Sequence, residues 1–295
     1  MNTWQSTSPA IACRLCGSQA VRPVLSDQAF SRTYTSYWCD YCDVMQTLGD
    51  VESISPDYIY LAPEALDDAH IYLQTKHKRS AFDQWLNLFH RRSCRAEGSS
   101  FSVMDIGCGV GGFLTFARAS GADTFGFDAS KAQVERCRRD HPRTRMAYSL
   151  EEYALKLGGQ PLVDAITMWD VFEHIRNPLE FLQQIQSACH PQTLVYVSVP
   201  SGAINPLKAR LARLLGRGAG LIPWEHVFYY TKKSLPAIFE RAGFEVVETG
   251  AVRAYRRAWS PHELLRRIAH SLLSPTRYSF QIYVLARIKS APPPL

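Results

Sequence analysis

The 295-residue chain has no apolar run approaching the roughly 20 residues that a membrane-spanning helix requires. Its opening residues, MNTWQSTSPA, have neither the basic start nor the apolar stretch of a secretory leader. Both absences point away from a membrane-embedded or exported protein, and a cytoplasmic one is expected. No internal repeat is visible, so a repeat architecture is not expected either. Acidic residues are scarce in the last third. Residues 201–295 hold 5 Asp/Glu against 15 Lys/Arg, a net of +10, whereas residues 1–200 are net −4. A field so one-sided suits an acidic partner (a phosphorylated substrate, an anionic membrane surface or nucleic acid), or it is a solvated basic face. Apolar residues are plentiful, at 46%, which supports a sizeable core and excludes a disordered chain.

The length accommodates one large α/β domain and a small module. Residues 1–50 read as a compact, turn-rich module. Residues 51–97 read as a helical connector or cap, with a helix over about 67–95. Residues 98–295 read as the main domain, with an insertion at 201–230. In the main domain strands and helices alternate. Strands are expected at 101–106, 124–127, 145–148, 163–168, 194–199, 245–249 and 280–286. Helices are expected after the glycine turn and over about 130–140, 150–157, 177–189, 233–242 and 261–273. This predicts a mostly parallel Rossmann-like sheet whose last two strands form an antiparallel edge.

Asp105-Ile106-Gly107-Cys108-Gly109-Val110-Gly111-Gly112 lies between the first strand of this domain and its helix. Glycines there allow a tight turn and let a nucleotide approach the strand ends. Gly107, Gly109 and Gly112 also satisfy the dinucleotide fingerprint, so a nicotinamide cofactor stays open on the loop alone. Asp128, with Ala129 beside it, ends the next strand, where a carboxylate accepts ribose hydroxyls. The fourth strand runs into Trp169-Asp170-Val171-Phe172-Glu173-His174, and Trp169, like Trp224, reads either as a ring stacking on adenine or substrate or as a buried aromatic that simply packs. Together, Asp105-x-Gly-x-Gly-x-Gly111 and the segment after strand 4 resemble the class I S-adenosylmethionine-dependent methyltransferases, closest to the ubiquinone-type O-methyltransferases. The resemblance covers about residues 98–250. It implies a class I methyltransferase sheet with Asp105 facing the methionine portion of the cofactor. It also implies a cofactor site built from Asp105, Gly107, Cys108, Gly109, Gly111, Asp128, Ala129, Trp169 and Asp170.

Cys13/Cys16 and Cys39/Cys42 are two Cys-x-x-Cys pairs 22 residues apart. In a reducing compartment such pairs read as knuckles presenting four thiolates to one structural zinc ion, with no coordination position left for substrate. The run from Cys39 to Gln46 resembles the zinc-binding N-terminus of sugar C-methyltransferases, where a Tyr-rich segment follows; here Tyr58 and Tyr60 do. Asp43 stands where that family usually has Gly. Those enzymes also carry a further C-terminal domain that this chain is too short to hold.

In the insertion, Leu207, Leu211, Leu214 and Leu215 fall on one helical face. Lys208, Arg210, Arg213 and Arg217 fall largely on the other. Residues 205–217 therefore read either as a lid packed over the site or as a basic amphipathic helix lying on an anionic membrane. The segment Pro223-Trp224-Glu225-His226-Val227-Phe228-Tyr229 resembles the part of sugar C-methyltransferases in which a His acts as base over the substrate. It nominates His226 as general base, His174 as the alternative, and Tyr229 as the group that orients the base or binds substrate. The expected activity is methyl transfer to an oxygen or carbon of a small biosynthetic intermediate, such as a sugar, a quinone-like ring or a lipid-linked compound. Two alternatives remain. One is an RNA methyltransferase docking through the zinc module and the basic C-terminal third. It is disfavoured because strand 4 lacks the Asn/Asp-Pro-Pro-aromatic box and the basic residues lack aromatic interleaving. The other is a non-catalytic zinc-ribbon scaffold, against which the intact Asp105, glycines and Asp128 argue.

Overall fold

The computed structural model describes residues 11–29, 32–48, 68–95, 98–141, 144–147, 162–216, 226–252, 268 and 271–289. Two sheets organise it. The larger has seven strands: β4 (Phe101–Ile106), β5 (Ala122–Phe127), β6 (Arg145–Ala147), β7 (Val163–Trp169), β8 (Cys189–Pro200), β10 (Phe244–Ala251) and β11 (Gln281–Ile288). Their order is β10-β11-β8-β7-β4-β5-β6. The pairings β4–β5, β4–β7, β5–β6 and β7–β8 are parallel, while β11 runs antiparallel to both β8 and β10. The expected antiparallel edge is present, with the last strand inserted between β8 and β10. The central strands are near-continuous apolar runs because helices cover both of their faces.

The chain starts at the sheet centre with β4, proceeds outward through β5 and β6, then returns to the other side with β7. The strand order therefore reverses between β4 and β7, and open α/β sheets bind ligands in the crevice beyond the carboxyl ends at such a point. Helix α1 (Asp68–Arg92) buries Phe82, Trp85, Leu88 and Phe89 in an aromatic cluster with Phe101, Phe113, Phe116 and Trp169. Helix α2 (Gly112–Ala119) follows the glycine turn directly, and α3 (Lys131–Asp140) is capped by Ser130, whose hydroxyl accepts the Gln133 amide. Helix α4 (Pro178–Ile185) opens on proline at its first turn, where the missing N–H has no helical partner to lose. Its helical path ends earlier than expected, because Cys189 already begins β8. The expected helix at 150–157 and most of the one at 261–273 lie outside the described residues, as do Tyr58, Tyr60, Trp224 and Glu225.

The smaller sheet belongs to the cysteine module: β1 (Val21–Ala29), β2 (Arg32–Cys39) and β3 (Val44–Leu48), all antiparallel. A fourth strand, β9 (Phe228–Tyr229), joins it from the insertion, with Met45 opposite Tyr229 and Gln46 opposite Phe228. Cys13, Leu15, Cys39 and Val44 share a core cluster with Phe228, Tyr230, Leu235 and Phe239, the last two from α6 (Ser234–Arg241). The module is thus packed on the main domain. Helix α5 (Asn205–Leu214) buries Ala209 but leaves Leu207, Leu211 and Leu214 at 57%, 56% and 84% exposure. A lid packed through this face would bury those leucines; instead they face solvent. No described helix is long and apolar enough to cross a membrane.

Candidate functional site

Three strand ends converge at the switch point. After β4 the chain turns through Gly107, Gly109 and Gly111, all with positive φ (71°, 54° and 89°). Gly107 has no room for a side chain, since an added methyl carbon would lie 2.2 Å from Cγ2 of Val171, in the segment after β7. The glycine loop and the β7 end are therefore in contact, and the absence of a Cβ is what permits it. Cys108 is buried within the loop and clusters with Leu114, Val134 and Cys137.

Asp128 ends β5. Its Oδ2 accepts the Gly109 amide at 2.9 Å and its Oδ1 accepts the Ser130 amide at 2.8 Å, so this carboxylate ties the β5 end to the glycine loop. Each oxygen keeps a further lone pair for a ligand hydroxyl. Burial raises its pKa, against the two amides that lower it. Ala129 beside it is exposed. Asp105 is 2% exposed and accepts the Thr167 hydroxyl at 2.7 Å. Burial pushes its pKa up to about 7, with Thr167 and the Lys78 charge opposing. A cationic ligand group beside it would favour the ionised form.

Past β7, Asp170 adopts φ 57°, uncommon for a residue with a side chain. It is over-determined there: its amide donates to Ser198 O at 3.0 Å, Gln281 donates to its Oδ1 at 2.6 Å, and the Lys78 ammonium lies 2.8 Å from its Oδ2. Lys78, from α1, is the residue that sequence reasoning missed. A lysine on a long polar-faced helix carries no signal of its own, and only the docking of α1 brings it toward Asp170, Glu173 and Asp105. Trp169 is buried in the aromatic cluster, with ring centroids 4.9 Å from Phe82 and 4.9 Å from Tyr196. It packs edge-on against Phe82 and tilted against Tyr196 within the protein.

A short helical turn, Phe172–His174, presents His174 next to His226, with ring centroids 4.8 Å apart and nearly perpendicular. The Tyr229 ring is 5.3 Å from that of His226. All three residues nominated from the sequence are therefore brought together. The Val227 amide donates to Glu173 O at 3.0 Å, which ties the two segments. Burial, and secondarily the His174 charge, draws the His226 pKa down to about 4, so its imidazole is neutral at physiological pH. Glu173 is 1% exposed, neither of its carboxyl oxygens has a hydrogen-bond partner, and burial holds its pKa well above the carboxylate range. Ligand atoms of Glu173, His174 and His226 all lie within 4.8 Å of one another, a spacing compatible with a metal ion.

The four cysteines form the other such group, with all four sulfurs within 4.8 Å of one another. Cys16 Sγ and Cys39 Sγ are 3.8 Å apart. A tetrahedron with Zn–S bonds of about 2.3 Å has edges of about 3.8 Å, so the spacing fits a four-thiolate ion. Burial pushes the Cys42 thiol up, and the neighbouring sulfurs add to this, an environment that a bound dication reverses.

A family model described as a methyltransferase domain matches residues 61–249. Among solved structures, the complex of the Haloferax volcanii Trm112 methyltransferase activator with a methyltransferase is similar at TM-score 0.54 and 17% identity, covering 76% of this chain and 96% of that one. The plantazolicin methyltransferase BamL, bound to a triazolic desmethylPZN analog and SAH, is similar at TM-score 0.51 and 13% identity, covering 78% and 93%. A Mesorhizobium loti S-adenosylmethionine-dependent methyltransferase is similar at TM-score 0.50 and 16% identity, covering 72% and 99%. At these identities the likeness is one of fold. No curated protein sequence matches the chain.

Proposed function

The chain belongs to the methyltransferase-domain family and is a class I S-adenosylmethionine-dependent methyltransferase; from that premise we propose that it methylates an oxygen or carbon of a small biosynthetic intermediate, with His226 as the base. The observation that carries this reading is the pairing of His226 with His174 and Tyr229 beside the loop that follows β7. S-adenosylmethionine supplies a methyl group on a sulfonium, whose departure as a neutral thioether needs no acid. The protein's contribution is alignment and removal of the acceptor proton.

In this reading Asp128 receives the ribose hydroxyls on its remaining lone pairs. Gly107, Cys108, Gly109 and Gly111 give the backbone approach, and Ala129 flanks the adenosine. Asp105 balances the cationic methionine end. Asp170, held by Lys78 and Gln281, shapes the wall toward the acceptor, and Trp169 supports it from below. His226 is already neutral, so it accepts a proton without first losing one. With a pKa near 4 it is a weak base, which favours an acidic hydroxyl or carbon acid whose proton leaves as the methyl group arrives. Tyr229 orients the imidazole, and His174 is the alternative acceptor of the proton. Cys13, Cys16, Cys39 and Cys42 hold a structural zinc ion, on the 3.8 Å spacing of two of their sulfurs. The exposed leucines of α5, with Lys208 and Arg210, favour contact of this helix with an anionic membrane over a closed lid, which suits a lipid-linked or quinone-like acceptor.

Calorimetric titration of the zinc-loaded protein with S-adenosylhomocysteine, beside Asp128→Ala, tests the cofactor site. Micromolar binding that the substitution removes is expected. Absence of binding by the folded protein overturns the assignment. Methyl transfer from labelled cofactor to a panel of sugars, quinols and carbon acids then tests the acceptor class, with His226→Ala inactive. Binding that weakens steeply with salt and methylation of RNA would instead favour the nucleic-acid reading. Cofactor binding with no transfer to any acceptor would favour the scaffold.

A further inference from the structure

We propose that the four-cysteine module is part of the acceptor half of the site and that Thr47 is a positioning residue, fixing His226 through its backbone. The inference rests on His226 facing the acceptor, and it concerns how that histidine is held.

The segment that carries His226 has little structure of its own. Among the described residues its only strand, β9, is two residues long, and a strand that short has no independent stability. It is held by what it pairs with. Among the described residues its sheet partner is β3, the last strand of the cysteine module. Thr47 makes two bonds beyond the ladder: its amide donates to Val227 O at 2.9 Å and its hydroxyl donates to His226 O at 3.1 Å. Its side chain is fully buried, and the Ser36 hydroxyl lies 3.4 Å from it. At the other end of the segment, the Thr231 hydroxyl lies 3.0 Å from Asp43 O and 2.9 Å from its carboxylate. Trp38 and Met45 pack against Tyr229.

These contacts start from the metal ligands. Cys39 closes β2, Cys42 lies in the turn, and Asp43, with φ 54°, leads into β3 at Val44. An ion that fixes Cys39 and Cys42 therefore fixes the turn from which β3 departs. Register matters here more than distance: a slip of one residue between β3 and β9 would turn Tyr229 to the opposite face and displace His226 from His174. The main domain also holds this segment, through Val227 N to Glu173 O at 3.0 Å, Gly202 N to Tyr230 O at 2.6 Å and the bonds of Thr231 to Ser234 and Leu235 at the start of α6, while the bond to the His226 carbonyl comes from Thr47. The module thus does more than fold independently beside a catalytic domain; it completes the wall on which the histidine sits.

The test is hydrogen–deuterium exchange on the full-length, zinc-loaded protein with S-adenosylhomocysteine bound. Wild type, Thr47→Val, Thr47→Ser and chelator-stripped wild type would be compared, with the His226 ring resonances followed by NMR. Valine keeps the shape of threonine and removes only the hydroxyl. In Thr47→Val the amides of residues 226–231 should exchange about tenfold faster, the cost of one buried hydrogen bond read as local opening. The His226 ring signals should move, while residues 13–42 and affinity for S-adenosylhomocysteine stay as in wild type. Thr47→Ser should restore both, and metal removal should produce the larger effect. Unchanged exchange over 226–231 in Thr47→Val, or a Thr47→Ser as fast as Thr47→Val, overturns the proposal. Failure of the base assignment has a separate signature: undiminished methylation by His226→Ala, with the exchange result intact.

Discussion

The pKa of Asp105 makes cofactor binding a proton-linked event with a predictable sign. In the free protein, burial raises this carboxyl from 3.8 to about 7. At pH 6 it is therefore mostly protonated. Both S-adenosylmethionine and S-adenosylhomocysteine carry an α-ammonium group at the methionine end, which the proposed site places against Asp105. An opposite charge within about 4–6 Å lowers a carboxyl pKa by about 1–3, and each tenfold change corresponds to about 1.4 kcal/mol. Binding must then expel a proton below pH 7. Affinity for S-adenosylhomocysteine should rise with pH, by up to tenfold per pH unit until about 7, and level off above it. The total gain from pH 5 to pH 8 should be about 10- to 100-fold. Calorimetry at pH 5.5, 6.5 and 7.5, repeated at pH 6 in two buffers of different ionisation enthalpy, measures both the slope and the proton released. Asp105→Asn should remove both. Asp128 is also raised by burial, so the asparagine variant is what assigns the effect. A wild-type affinity that is flat from pH 5.5 to 7.5, or proton uptake on binding, would refute the placement of Asp105 beside the ammonium.

Further predictions follow from packing and charge. Gly107→Ala combines positive φ with a methyl 2.2 Å from Val171, so it should weaken cofactor affinity at least tenfold by forcing the loop from the β7 end, as measured by titration with S-adenosylhomocysteine. Glu173 has a native pKa raised by burial, so its stabilising contribution is full below the unfolded pKa and drains away as pH rises through the native one. Tm should accordingly fall between pH 5 and pH 8, and Glu173→Gln should flatten that fall; an unchanged slope in scanning calorimetry would count against a protonated Glu173. Metal analysis should find one zinc per chain bound by the four cysteines, with Cys39→Ser lowering zinc content and Tm together. Leu211→Asp with Leu214→Asp should abolish co-sedimentation with phosphatidylserine vesicles without changing Tm, because both side chains are more than half exposed.

The α/β character, the strand ends bearing Asp105, Asp128 and Trp169-Asp170, and the four clustered cysteines were legible in the chain alone. Each is written locally: a buried apolar run, a glycine turn where φ must be positive, a carboxylate at a strand end, two thiols three residues apart. Such signals survive without tertiary context because backbone sterics and ligand geometry fix them over a few residues. Lys78 was not legible. Its significance arises from the docking of α1, which brings it 2.8 Å from Asp170. The leucine face of α5 reads first as a packed lid from periodicity, and only the tertiary structure leaves it in solvent. The pairing of β9 with β3 was equally out of reach. It joins residues about 180 apart, Gln46 with Phe228, through backbone hydrogen bonds that any sequence can make. Local chemistry therefore determined which groups this protein possesses. Long-range packing decided which of them meet, because a contact across the fold depends on the burial of everything between.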